Sequence, residues 1–283
     1  MDAPIVDPTT TGTIERPLES GLIEIRKLDK VYESRAGRQT VFKDLSASIG
    51  SGEFVSIVGP SGCGKSTFLK LISGLESPTS GETAFAGQQV TGPPQGMIYV
   101  FQQYSKSIFP WKTVQENIKF GLCGKKGVSK AEAEEACREY VDILGLNGFE
   151  NYYPYQLSGG MQQRVCIARA LMCKPAVLLM DEPFSAVDAM TRAILQELLL
   201  KIWRTLPITI VFVTHDLDEA VFMSTRIISL GRNGAGIVED LEIDLPTPRD
   251  AITTRGDPNF SALRQTLFSS IFAQEKAIAP GSH

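Results

Sequence analysis

One short stretch of the chain combines glycines, a lysine and hydroxyl side chains at a spacing that suits phosphate chemistry. Glycines at 59, 62 and 64 let the backbone turn so tightly that several N–H groups can point at one set of phosphate oxygens. Lys65 adds a positive charge for the β and γ phosphates, and the hydroxyl of Ser66 can reach Mg²⁺. We predict that a nucleoside triphosphate binds to this phosphate loop, which consists of Gly59, Pro60, Ser61, Gly62, Cys63, Gly64, Lys65, Ser66 and Thr67.

The residues on either side of the phosphate loop support this interpretation. The apolar stretch 54–58 that precedes the loop predicts a buried strand, and apolar residues between Phe68 and Ile72 recur at helical spacing after it. A helix that begins near Lys65 would direct the positive end of its dipole at the same anion. The alternative is a glycine-rich turn that binds nothing, and the flanking strand and helix argue against it.

A pair of carboxylates supplies the hydrolytic chemistry that the phosphate loop lacks. Asp181 and Glu182 directly follow the apolar stretch 177–180, which predicts another strand. Asp181 can help to hold Mg²⁺, and Glu182 can orient or deprotonate a water that attacks the γ phosphate. Alone, such a pair is usually a capped strand end, but beside a phosphate loop it predicts hydrolysis.

A second anion site is predicted at the sequence LSGGM, residues 157–161. Ser158, Gly159 and Gly160 would form the N-terminus of the helix that follows, with a hydroxyl and bare N–H groups. The chain therefore has one phosphate loop and a second place that suits a phosphate. This sequence, followed by QQR, resembles the signature of the ATPases of ABC transporters, in which the signature of one subunit closes over the γ phosphate held by the other.

The resemblance extends from about Leu22 to Asp250 in the motif order of that family, and it implies ATP and Mg²⁺ as ligands. It implies that Tyr32 stacks on adenine, that Gln102 reaches Mg²⁺ and the attacking water, and that Asp188 lies in a loop that crosses the dimer. His215 matches the switch histidine that contacts the γ phosphate. A core-packing tyrosine, a plain surface glutamine and a structural histidine remain the alternatives.

Cys63 is the one residue of the phosphate loop with a reactive side chain of its own. An exposed thiol close to Lys65 would favour the thiolate, so we predict that alkylation of Cys63 blocks ATP binding and that ATP slows the alkylation. An inert, small packing residue is the alternative.

Longer phrases resemble one branch of the family, the nitrate, sulfonate and taurine importers: LSGGMQQR, MDEPFSAVD and THDLDEAVFM. The resemblance implies a subunit that pairs with a second copy of itself, energises transmembrane permease subunits and serves a solute-binding protein indirectly. Phe109, Pro110 and Trp111 fall where such subunits form a groove for a helix of the permease, although an internal packing cluster would explain them too. A soluble ABC ATPase without a permease, for example in cluster assembly, and a phosphate-loop kinase are the other functions considered.

Apolar runs that alternate with helical spacing predict an α/β fold with a mostly parallel sheet. The resemblance specifies a phosphate-loop NTPase fold with an N-terminal antiparallel β part and a helical insertion. We expect a disordered tail at 1–20, the ATPase domain at 21–246 with its helical part at about 103–157, and a tail at 247–283. In that tail we expect a helix capped by Asp257, with an apolar face that packs on the parent domain and holds Phe260, Leu263, Leu267, Phe268 and Ile271. Docking of this face to a partner or a membrane surface is the alternative.

Composition narrows the class of protein further. The chain has 283 residues and a net charge of −4, which gives no support to a nucleic-acid partner. Its longest uncharged apolar stretch, about Leu206 to Val213, is far shorter than the roughly 20 residues that cross a bilayer. With no signal-peptide pattern and five cysteines without a CxxC pair, we expect a reduced protein that stays in the cytoplasm. The resemblance to importer subunits implies that it lies peripherally at the cytoplasmic face of the inner membrane.

Overall fold

The computed structural model describes residues 21–34, 37–123 and 127–276. The α/β fold is confirmed, with strands β1 to β10 at Ile23–Ser34, Gly37–Ile49, Phe54–Val58, Ser80–Phe85, Gln88–Gln89, Met97–Val100, Val177–Asp181, Thr209–Val213, Arg226–Leu230 and Ile237–Glu242. Helices α1 to α9 span Lys65–Ile72, Tyr104–Ser107, Val114–Lys119, Lys130–Ile143, Gly159–Met172, Ala189–Thr205, Leu217–Met223, Thr253–Gly256 and Pro258–Lys276. Single 3₁₀ turns lie at Phe120–Leu122 and Pro154–Gln156.

The larger sheet positions the candidate site. Within the described residues its strand order is β10-β9-β3-β8-β7-β6, and all neighbours are parallel except β10 and β9. Every residue of β3, β7, β8 and β9 is buried, as expected for parallel strands covered on both faces. Because parallel strands end at the same edge, the segments after β3, β6, β7 and β8 meet there.

The smaller sheet is antiparallel, with the order β2-β1-β4-β5. Its apolar face packs on α1, where the Phe42 and Phe68 rings meet edge to face with centroids 6.3 Å apart. In this part of the chain the residue pattern predicts a single short strand at residues 22–25, whereas β1 extends from Ile23 to Ser34. Polar side chains alternate through β1 and β2, so the extent of these strands shows only once they pair.

Helices occupy the stretch between β6 and β7, and the described residues from Gln102 to Gln156 contain no strand, in agreement with the pattern. Capping boxes begin α3 and α4, as the Thr-x-x-Glu and Ser-x-x-Glu patterns of the sequence indicate. Thr113 and Ser129 accept hydrogen bonds from the N–H groups of Glu116 and Glu132, whose carboxylates bond back to the capping residues.

The C-terminal helix α9 begins at Pro258 and packs against α7 through buried Phe260 and Leu267. Phe268 does not share this buried face: it is 57% exposed and stacks on Phe272, so its predicted place on the packed stripe is wrong. The tail predicted at residues 1–20 lies outside the described residues. None of the helices that the structure describes is long and apolar enough to span a membrane.

Candidate functional site

The phosphate loop joins β3 to α1 in a conformation that depends on its glycines. Gly59, Gly62 and Gly64 have φ angles of 146°, 79° and 107°, a region that L-residues avoid. A Cβ on Gly64 would lie 2.4 Å from Val41 Cγ1, and one on Gly59 would lie 2.4 Å from the carbonyl oxygen of Leu230. Both glycines are therefore required by close packing as well as by the turn.

Lys65 is the first residue of α1 and is buried against the phosphate loop. Its Nζ donates hydrogen bonds to the carbonyl oxygens of Gly59, at 2.8 Å, and Pro60, at 3.1 Å. The ammonium group therefore lies over the concave side of the loop. A polyanion in that position would meet this charge together with the N-terminal end of α1.

Asp181, the last residue of β7, lies against the start of α1. Its Oδ1 accepts a hydrogen bond from Ser66 Oγ at 3.0 Å, and its Oδ2 accepts one from Tyr99 OH at 3.0 Å. Burial raises the pKa of Asp181, while both hydrogen bonds favour the carboxylate and oppose that shift.

The oxygens of Ser66 and Asp181 lie side by side, and hard oxygen donors suit Mg²⁺. The described residues hold no group of three or more His, Cys, Asp or Glu side chains that could bind a metal ion. The pair Ser66 and Asp181 fits an ion that takes only one or two protein ligands and binds the substrate phosphates as well.

Glu182 is the centre of the predicted hydrolytic groups. Its Oε2 lies 3.1 Å from His215 Nδ1 and accepts a hydrogen bond from Gln102 Nε2 at 3.2 Å. Residues from the ends of β6, β7 and β8 therefore converge on one carboxylate oxygen. Its backbone φ of 44° is in the left-handed region, a strained conformation for glutamate that is typical of functional sites.

Tyr32 lies beside the phosphate loop, although it is far from the loop in sequence. Its hydroxyl is 3.4 Å from Thr67 Oγ1, and Lys30 Nζ lies 4.8 Å from the ring centroid. Tyr32 is 37% exposed, so packing on the core covers only part of its side chain. An exposed aromatic face next to a phosphate site could stack on a base.

The second predicted anion site lies at the start of α5. Ser158 caps α5 by accepting a hydrogen bond from the N–H of Met161, and Ser158 and Gly159 are exposed. A Cβ on Gly160 would lie 2.4 Å from Thr191 Cγ2, so α5 begins beside the start of α6, which Asp188 caps. The hydrogen bonds described for Ser158 and Asp188 join each residue to the first turn of the helix that it caps. None of them joins either residue to the phosphate loop.

Comparison with known proteins identifies the family. A family model for ABC transporters matches residues 42–185, about half of the chain. The chain belongs to the ABC transporter family. Like its relatives, this ABC ATPase binds and hydrolyses ATP.

Three similar proteins show the extent of the match. A nitrate import ATP-binding protein of Synechocystis is 42% identical over 89% of this ABC ATPase and 96% of that protein. An aliphatic sulfonates import ATP-binding protein of Bacillus cereus is 41% identical over 87% and 94% of the two chains. A dimeric ATP-binding cassette, solved in a post-hydrolysis state with ADP and phosphate, superposes with a TM-score of 0.69 at 33% identity, covering 78% of this chain and 99% of that one.

The structure corrects the prediction of a reactive thiol in this ABC ATPase. Cys63 is 2% exposed, and burial raises the pKa of its thiol although Lys65 and Arg232 oppose the shift. An exposed, activated thiolate is therefore not present, and the packing interpretation of Cys63 is the better one.

Several residues of the site of this ABC ATPase were missed by sequence reasoning. Tyr99 bonds Asp181, and Arg232 Nε donates to the carbonyl oxygen of Ser61 at 2.9 Å. Buried Gln163 of α5 donates to the carbonyl oxygen of Pro183, next to Glu182. Tyr99 was visible as a polar-tipped residue in the strand before Gln102, but nothing local marks the other two.

Proposed function

We propose that this chain is the ATP-hydrolysing subunit of an ABC importer and that it works as a dimer with two shared ATP sites. One observation carries the proposal: the hydrolytic groups converge on Glu182, while Ser158 and Gly159 at the start of α5 are exposed and have no described contact with those groups. A second copy could bring its α5 onto a phosphate held in the first. The dimeric form of the solved relative supports this arrangement.

The geometry suggests a role for each side chain once ATP is bound. The phosphate loop and Lys65 would hold the β and γ phosphates, and Tyr32 would stack on the base. Ser66, Asp181 and Gln102 would hold Mg²⁺, which supplies charge neutralisation at the transferred phosphoryl group when it is bound. Glu182 would orient a water and take its proton, with His215 and Gln102 fixing the direction of the carboxylate.

The partner copy would complete the site through Ser158, Gly159 and Gly160, whose N–H groups and hydroxyl suit the γ phosphate. Asp188 lies beside this helix start and would form part of the crossing loop. Binding of ATP would then favour a closed dimer, and loss of phosphate would let the subunits separate. This cycle would convert hydrolysis into a movement of the attached permease.

The relatives favour import of a small anion. They include proteins named for nitrate import and for aliphatic sulfonates import, and both match almost over their full length. By this analogy the chain would act at the cytoplasmic face of the membrane, with permease subunits and, indirectly, a solute-binding protein.

The face that would meet the permease is built around Phe109 and Trp111. Buried Asn117 fixes this loop, because its side chain bonds Phe109 N and the carbonyl oxygens of Phe109, Lys112 and Thr113. The Phe109 ring packs on Phe120, whereas Trp111 is 69% exposed. A rigid loop that presents an exposed tryptophan suits a docking site.

The shared-site proposal is tested by the variant Glu182→Gln. Replacing the general base should lower ATP turnover roughly 100- to 10,000-fold, since positioned acid–base groups contribute about that much. ATP binding should persist, so size-exclusion chromatography with Mg-ATP should show a dimer. Asp218→Asn, a change of an exposed carboxylate, is the matched control and should keep normal turnover. If Glu182→Gln stays monomeric with Mg-ATP bound, the shared-site model is wrong.

A further inference from the structure

The two residues beside His215 are fixed by a closed set of hydrogen bonds with the start of α7. Thr214 Oγ1 donates to Glu219 Oε2 at 2.5 Å and accepts from the N–H of Asp216 at 3.0 Å. Asp216 Oδ1 in turn accepts from the N–H of Glu219 at 3.1 Å. The Thr214 hydroxyl therefore bonds the buried Glu219 carboxylate directly and connects the Asp216 N–H to it, while the side chain of His215 is 64% exposed.

The same carboxylate is connected to the C-terminal segment. Glu219 is 5% exposed, and its Oε1 accepts a hydrogen bond from Gln196 Nε2 of α6 at 2.9 Å. Gln196 is also buried, and its Oε1 accepts from Arg255 Nη2 at 2.8 Å. The Arg255 guanidinium lies 4.1 Å from the centroid of the Phe222 ring of α7. A continuous hydrogen-bonded chain therefore runs from α8 through α6 to the residue before His215.

A side branch joins the chain to the candidate crossing loop. Arg192 Nη1 lies 3.3 Å from Asp216 Oδ2, and its Nη2 donates to the carbonyl oxygen of Val187 at 3.5 Å. Glu182, His215, Thr214 and Glu219 also line one small cavity together with Arg192. The hydrogen-bonded residues and the candidate catalytic pair therefore border the same cavity.

We infer that Thr214 and Glu219 are positioning residues that hold His215 against Glu182, and that Gln196 and Arg255 orient Glu219. The Thr214 hydroxyl is the group that joins the two sides, because it donates to Glu219 and accepts from Asp216. Without it, a buried carboxylate oxygen and a backbone N–H lose their partner, and the segment that carries His215 must move to recover one. This inference rests on the proposed role of His215 in hydrolysis.

The test compares Thr214→Val, which keeps the shape but removes the hydroxyl, with Thr214→Ser, which keeps the hydroxyl. Misplacing a catalytic group by about 1 Å can cost up to about 100-fold in rate, so we expect kcat for ATP to fall roughly 10- to 100-fold in Thr214→Val. KM for ATP and nucleotide affinity should change less than about twofold, and Thr214→Ser should restore most of the rate. Equal losses in the two variants, or a loss of nucleotide binding in Thr214→Val, would overturn the inference.

Two further variants separate this inference from the proposed function. If Thr214→Val does not fold, as judged by circular dichroism, Glu219→Met provides the same measurement, because methionine has a similar length but offers no carboxylate acceptor to the Thr214 hydroxyl. His215→Ala must itself lose turnover. Full activity in His215→Ala contradicts the proposed role of His215, whereas an inactive His215→Ala beside a fully active Thr214→Val contradicts only the positioning.

Discussion

At the scale of single residues, the placement of Glu182 depends on the strand next to its own. Its N–H donates to the carbonyl oxygen of Val213, the last residue of β8, at 3.0 Å. That bond holds the glutamate in its left-handed conformation, which costs on the order of 1–3 kcal/mol for a residue of this kind. It also brings Glu182 to the strand end that leads to His215. The same hydrogen bond therefore accounts both for the strained backbone of Glu182 and for the position of its side chain next to His215.

The cysteines allow a test at the same scale. Because burial raises the pKa of Cys63, its thiolate fraction at pH 7–8 is smaller than that of an ordinary thiol, and alkylation should be slow. Cys123 is exposed and serves as the internal reference. Peptide mapping by mass spectrometry after a short maleimide pulse should show Cys123 labelled well before Cys63. Labelling of both at one rate in the native, nucleotide-free protein would contradict the buried placement.

At the scale of elements, the C-terminal segment is bound to α7 by two arginines, one partly buried and one exposed. Arg249 Nη1 donates to the carbonyl oxygens of Phe222 and Ser224, at 3.0 and 2.7 Å, at the end of α7. Burial lowers the pKa of its guanidinium. Arg264 instead forms an exposed ion pair with Asp218, with Nη1 and Oδ2 3.3 Å apart. The carbonyl oxygens at a helix end need donors, and Arg249 provides them where water is largely excluded.

These arginines should therefore differ in their contribution to stability. Arg249→Met leaves half-buried carbonyl oxygens without a donor, so we expect the free energy of unfolding to fall by about 1–3 kcal/mol. Arg264→Met removes an exposed pair and should cost about 0–1 kcal/mol.

Differential scanning calorimetry provides the measurement, since each kcal/mol should lower Tm by roughly 2–4 °C in a protein of this size. A Tm for Arg249→Met that equals that of Arg264→Met would show that α7 does not depend on this cap.

At the scale of the whole molecule, the chain presents two distinct faces that could meet other proteins. One carries the exposed start of α5 and Asp188, and the other carries the rigid loop with Trp111. In the proposed importer, association with the permease would depend on a few aromatic contacts at the second face.

Trp111→Ser tests the second face. A buried interface tryptophan contributes about 2 kcal/mol or more, so its loss should weaken docking by at least about 30-fold. Quantitative sedimentation with membranes that contain the permease should show the loss, while ATPase activity of the free chain stays unchanged.

Ile252→Ser is the matched control, since Ile252 is 84% exposed on the C-terminal segment. Equal sedimentation of both variants would contradict docking at Trp111. Sedimentation that is absent even for the unaltered chain would favour a soluble ABC ATPase that works without a permease.

Features that are set by local chemistry were predictable from the sequence. The glycines of the phosphate loop, the strands that continue as single apolar runs and the capping boxes at Thr113 and Ser129 depend on neighbours within a few positions. The antiparallel strands β2 and β4 were not resolved by pattern, because half of their residues are polar and only pairing makes them strands. Cys63 was misjudged because its burial depends on an apolar cluster that includes residues distant in sequence, such as Phe42 and Leu230.

The spacing and types of residues were enough to predict a nucleoside-triphosphate site and an α/β fold, because the phosphate loop and the apolar strand runs are local patterns of the chain. The resemblance of the motifs to a known family added ATP as the nucleotide. Only the tertiary structure decided which groups touch. Glu182 meets His215 and Gln102, Thr214 meets Glu219, and Arg255 reaches Gln196 across 59 positions of sequence. Such contacts follow from the order of the strands in the sheet and from the path of the C-terminal segment, and neither leaves a periodic trace in the residues involved.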